Sequence, residues 1–179
     1  FLLILLLVQV IITYVPLVWL GGESPREVAQ ENIRNIKAGQ IQEFKKYLAP
    51  EALQDLEKLC SKYQKLAKQI KKAKKIKNKT KREEKLEELS DSITPEYTKM
   101  KENGEIKSCN ADIVLKTLFA TKEDPDAILG EFEDAQVKSE TKDEEGATVE
   151  FSNGKRWQFI DKDGHWKIKR LREEDLLEE

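Results

Sequence analysis

The chain has 179 residues, 37% of them charged, and a formal net charge of −2. That balance excludes a globally basic nucleic-acid binder, and two cysteines with a single histidine leave a zinc site almost no ligands. Once the first 20 residues are set aside, the length is that of one ordinary domain.

Phe1 to Leu20 contains no charged residue, and its only polar side chains are Gln9, Thr13 and the phenol of Tyr14. About 20 apolar residues span a hydrocarbon core as a helix. The stretch is therefore predicted to be a retained single-pass transmembrane helix, with Tyr14 and Trp19 at the membrane interface. A cleaved signal peptide and a buried core helix are the rival readings. Pro16 would kink the last turn, which a neighbouring helix would cover. The flank before Phe1 is expected to be missing, so orientation stays open. Residues 21–24 form a linker.

Ser24-Pro25 opens a helix: Ser24 can cap it, Pro25 suits its first position and Glu27 meets the positive end of the dipole. Gly39 breaks the helical spacing. A second short helix is expected over Gln40 to Leu48, ended by Pro50. From Glu51, the positions Leu56, Leu59, Tyr63, Leu66, Ile70 and Ala73 alternate three and four apart in a coiled-coil-like stripe. Between Lys71 and Lys85 nine side chains are basic and two, Glu83 and Glu84, are acidic. The stripe fades near Asn78-Lys79-Thr80, which is also an N-glycosylation sequon, and resumes at Leu86, Leu89 and Ile93. Residues 51–93 are read as a charged helical hairpin, with one uninterrupted helix as the alternative.

Such a charge run is most simply a solvated helix face. It is also a candidate surface for an acidic protein or anionic lipid headgroups, through Lys71, Lys72, Lys74, Lys75 and Lys79. Nucleic acid is not expected, because no aromatic residues are interleaved with the lysines after Tyr63. Cys60 and Cys109 are a candidate disulfide, or two small buried hydrophobes.

Pro95 starts a short helix to about Lys101, Asn103-Gly104 turns the chain, and Glu105 to Cys109 is read as a short strand. Ala111 to Ala120 is a buried helix or a strand. Strands are expected over Glu131 to Lys142, Ala147 to Phe151, Arg156 to Ile160 and His165 to Leu171. Alternation puts Ala147, Val149, Phe151, Trp157 and Phe159 on one face. Asn153-Gly154 and Asp163-Gly164 are hairpin signals, the first expected to supply two left-handed positions. Residues 173–179 are an acidic tail. The fold class is α+β: an N-terminal transmembrane helix, then helices on a curved antiparallel sheet with a lysine-rich helical extension.

Two pieces carry a resemblance. One runs from Ser24-Pro25-Arg-Glu-Val28 through Ile33, Lys37-Ala38-Gly39, Phe44 and Tyr47-Leu48. The other comprises Ala147-Thr-Val-Glu-Phe151, Trp157-Gln-Phe159 and Asp163-Gly-His-Trp-Lys-Ile168. Together they resemble the nuclear transport factor 2-like superfamily, especially its small extracytoplasmic bacterial members, over about half of residues 25–172. The resemblance implies a conical body with helices over a curved sheet. Gln40 departs from the acidic residue that commonly follows the Gly, and the stretch from Glu51 to Ser90 is longer than its counterpart.

Enzymes of that superfamily place a carboxylate and a Tyr or second acid in the cone. Here the expected inward strand positions hold no ionisable residue, so no catalytic residue carries over. Tyr47, Tyr63 and Tyr97 are expected in the core with hydroxyls at its rim, and His165 in an exposed turn. No cofactor or metal is expected. The reading is a membrane-anchored, non-catalytic accessory or scaffolding subunit of a larger membrane assembly, extracytoplasmic (periplasmic), with other membrane subunits as partners. The alternatives are a small-ligand-binding or isomerase/lyase-type cone, or an anionic-lipid tether.

Overall fold

The computed structural model describes residues 23–171. The expected transmembrane helix over residues 1–20, with Tyr14 and Trp19, lies outside them, as does the acidic tail. Among the described residues no helix is long and apolar enough to cross a membrane. The fold class is corrected accordingly to an α+β body of helices and a four-stranded antiparallel sheet, and single-pass membrane placement is not carried forward.

Helix α1 spans Pro25–Ala38. It starts where it does because Ser24 and Glu27 form a reciprocal capping box, and it ends at Gly39, whose φ of 69° is the left-handed cap. Its face of Val28, Ala29, Ile33 and Ile36 is buried across β1 (Val137–Lys142), β2 (Ala147–Phe151) and β4 (His165–Arg170). The short α2, Ile41–Lys46, inserts Phe44. α3, Pro50–Ala73, lays its three-and-four stripe against β4 and against α6, Ala111–Ala120.

The strands run in order β1-β2-β3-β4, with β3 at Arg156–Lys162. Register shifts at Val137/Ser139 and Gln158/Phe159 bend the sheet. The β4 edge is closed by the chain after α2: Ala49 N–H donates to the Ile168 carbonyl at 2.9 Å, and Ile168 N–H to the Tyr47 carbonyl at 2.7 Å. Lys138 and Lys142 stand on the other edge strand, where charge discourages further pairing.

Three local expectations change. Residues 105–109 are not a strand: Glu105–Ser108 is a 3-10 turn anchored by the buried Ile106. The segment from Glu131 begins as another 3-10 turn, Gly130–Phe132, which drives Phe132 into the core and delays β1 to Val137. The turn at Asn153-Gly154 has one left-handed residue, Gly154, rather than two. Phe151 N–H donates to the Lys155 carbonyl, which makes a three-residue loop. At Asp163-Gly164 both residues are left-handed, with φ of 56° and 82°, and two residues suffice.

Trp157 is the centre of the core. Its ring lies 4.8 Å from Phe151, 5.0 Å from Phe132, 6.3 Å from Phe44 and 6.4 Å from Phe159, and Phe119 stacks edge-on to Phe44 at 5.4 Å. Edge-to-face pairs of this kind contribute about 0.5–1.5 kcal/mol each beyond their buried area. Six rings drawn from two helices, a 3-10 turn and two strands thus occupy the space between helices and sheet.

Candidate interaction surface

The lysine run forms a hairpin. α3 ends at Ala73, the chain turns over Lys74 to Lys77, and α4, Lys79–Glu88, runs back, capped by Asn78 Oδ1 accepting from Lys81 N–H at 3.1 Å. The hairpin is chosen over a single long helix because Asn78 supplies a start signal where the apolar stripe has lapsed. α4 buries no residue fully; its main contacts are with α3 and the 3-10 turn Ser90–Ser92, and Leu86 packs partly against the core. The two arms therefore form a spur.

The base of the spur is fixed firmly. Cys60, in the middle of α3, is disulfide-bonded to Cys109, with Cα atoms 5.8 Å apart. One turn further on, the Tyr63 hydroxyl and Thr94 Oγ1 are hydrogen-bonded at 2.9 Å. The Tyr63 ring also meets Tyr97 edge-on at 5.8 Å. Tyr97 lies on α5, Pro95–Glu102, which starts at the Thr94 cap.

The spur itself is weakly compensated. Lys79 lies 3.9 Å from Glu83 and Lys85 pairs with Glu88, both within α4. Lys71, Lys72, Lys74, Lys75, Lys77 and Lys81 are exposed and form no ion pair among the described residues. Like charges three or four apart on a helix oppose it by about 0.2–0.5 kcal/mol per pair. Lys65–Lys68, Lys68–Lys71 and Lys68–Lys72 are such pairs. Lys71 and Lys72 recover part of this by meeting the negative end of the α3 dipole. Lys65, Lys68 and Lys72 also stand opposite the buried Tyr63, Leu66 and Ile70, so they face solvent.

The returning arm leads from Leu89 to Ile93, the one large apolar side chain that is well exposed among the described residues, at 43%. Ile93 begins a wide groove of about 880 Å³ between α5 and the loop after α6, with Pro95, Ala120 and Pro125 on its surface. Glu102, Glu123, Asp124 and Asp126 line it as well. A second depression of about 500 Å³ shares Glu123 and Pro125 with it.

The other candidate residues are scattered. Tyr47 is half-buried at the sheet edge, with the Lys167 ammonium 5.7 Å above its ring. Burial, then the charges of Glu23, Glu31 and Glu43, push its phenol pKa up, and burial does the same for Tyr97, so both hydroxyls stay protonated. His165 is exposed in the last hairpin. No group of three or more His, Cys, Asp or Glu suited to a metal occurs among the described residues.

Sequence reasoning missed Glu96. It is fully buried at the second position of α5. One oxygen accepts the Ile128 N–H at 2.7 Å, and the other has no hydrogen-bond partner. It also missed the buried amides Asn32 and Asn35, which sit on the apolar face of α1. The Pro-Glu start of α5 reads as an ordinary dipole match, and nothing local marks it as a tertiary latch.

Family models, curated proteins and solved structures contain no match to this chain, so they do not bear on the nuclear transport factor 2-like resemblance.

Proposed function

We propose that the protein is a non-catalytic interaction module that engages an acidic protein surface through the lysine-rich spur formed by α3 and α4. The observation that carries this reading is the spur: a rigidly based hairpin whose inner face on α3 is buried, whose outer face and returning arm α4 project lysines, and of these Lys71, Lys72, Lys74, Lys75, Lys77 and Lys81 form no ion pair among the described residues. A sequence that retains mutual repulsion on a helix gains when a partner's carboxylates relieve it. Lysine heads are mobile point charges, suited to a diffuse acidic surface rather than to a planar bidentate ligand. The order of helices followed by a bent antiparallel meander is compatible with a nuclear transport factor 2-like body. In this reading its interior is a packed scaffold, and the work is done outside it.

The test is binding of a polyglutamate peptide of about 20 residues to dilute full-length chain, measured by fluorescence anisotropy at low and physiological salt. The substitutions Lys71→Glu, Lys72→Glu, Lys74→Glu and Lys75→Glu together are expected to abolish binding without changing the circular dichroism spectrum. Binding unchanged by the four reversals would remove the reading.

A further inference from the structure

We propose that the groove between α5 and the loop after α6 receives the spur of a second copy of this chain, giving a two-fold dimer in which each spur crosses to its partner's groove. This rests on the reading of the spur as an interaction element and names its partner. The groove lining combines apolar and acidic side chains. Ile93, Pro95 and Pro125 offer it contact area, while Glu102, Glu123, Asp124 and Asp126 form no ion pair among the described residues. Lys99 is the one basic side chain lining it. The spur offers the complement: nine basic and two acidic side chains between Lys71 and Lys85, with Ile76 part-exposed at its tip.

Charge balance favours a copy of the same chain over a foreign acidic protein. The net charge is only −2 although 37% of residues are charged, so like copies scarcely repel while their unlike patches attract. Placement allows both contacts at once. α4 runs about 15 Å from the tip to its base, and the base continues through Ser90–Ser92 into Ile93 at the groove wall. With donor and acceptor surfaces side by side on one molecule, a two-fold axis pairs both and closes the assembly, leaving no open end for a filament.

The test is sedimentation of the full-length chain, in a non-ionic detergent buffer that keeps residues 1–20 from associating on their own. The spur variant carries the four Lys→Glu substitutions above; the groove variant carries Glu123→Lys, Asp124→Lys and Asp126→Lys. Wild type is expected to be a dimer at low salt, and each variant alone a monomer with dimerisation weakened at least about 100-fold. An equimolar mixture is expected to recover the dimer, since an acidic spur then meets a basic groove and the reverse. A monomeric wild type, variants that stay dimeric, or a mixture that stays monomeric would each overturn the proposal. Polyglutamate binding separates the two readings: a monomeric wild type that still binds the peptide through its spur overturns the dimer alone.

Discussion

At the scale of single residues the most informative position is Glu96, a fully buried carboxylate held by one backbone N–H. Its removal leaves the Ile128 N–H without an acceptor and opens space between α5 and the 121–130 loop. Glu96→Ala is expected to lower unfolding free energy by about 2–4 kcal/mol in urea titration, and Glu96→Gln by less, since an amide oxygen still accepts the bond. A Glu96→Ala protein as stable as wild type would show that the latch contributes nothing. Gly130 is constrained differently: a Cβ there would stand 1.8 Å from the Asp124 carbonyl oxygen. Because the obstacle is backbone, Gly130→Ala is expected to cost about 1–3 kcal/mol and to displace the loop that walls the groove, readable as a lowered Tm.

Three carboxylates, Glu27 exposed and Glu51 and Glu150 half-buried, contribute to the acid response. Ser24 backbone and side-chain hydrogen bonds lower the Glu27 pKa below its ordinary 4.5. The backbone N–H of Glu51, then the Lys162 ammonium, lower that of Glu51, and Lys138, more than Arg156, lowers that of Glu150. Each is depressed in the folded state, so its contribution is fully present above pH 4.5 and is lost as pH falls through the folded value. Glu150→Gln is expected to flatten the acid limb of a Tm-against-pH curve below that pH. An acid limb identical to wild type would contradict the assignment.

At the scale of elements, the disulfide and the spur are linked. The Cys60–Cys109 bond joins residues 49 apart, a loop that includes α3 beyond Cys60, α4 and α5. Closing a loop of that length removes about 4 kcal/mol of unfolded-chain entropy on the chain-entropy view. Paired Cys60→Ser and Cys109→Ser substitutions are therefore expected to cost a few kcal/mol, measured by chemical denaturation, and a change within error would mean that Tyr63 and Thr94 suffice to seat the spur.

Elements with strict periodicity were legible in the chain. The α3 stripe from Leu56 to Ala73 and the inward row Ala147, Val149, Phe151, Trp157 and Phe159 are buried as their spacing indicates. What was not legible came from short segments whose conformation is set by one anchoring side chain. Ile106 and Phe132 each pull a 3-10 turn into the core, and neither leaves an alternating pattern to read. The packed interior was hidden for the same reason: Phe44 and Phe132 reach Trp157 from two separate elements outside the sheet, and Phe119, from a third, packs behind Phe44. The lysines of the candidate surface were visible in sequence. That most of them form no ion pair among the described residues, and the groove at the base of the spur, depend on where the returning arm lands.

At the scale of the whole molecule, charge is separated rather than absent. The spur is basic, and residues 123–134 carry six acidic and no basic side chains. Such a molecule associates through oriented patches and loses that association as salt shortens the Debye length from about 30 Å at 0.01 M to about 8 Å at physiological strength. The central claim is that the spur, and not basic charge in general, is the binding element. The direct measurement is lysine acylation followed by mass spectrometry, on full-length chain too dilute for copies to associate, with and without polyglutamate. Selective protection of Lys68 to Lys81, with Lys138, Lys142 and Lys155 reacting at unchanged rates, is the predicted result. Protection spread evenly over all these lysines would contradict it.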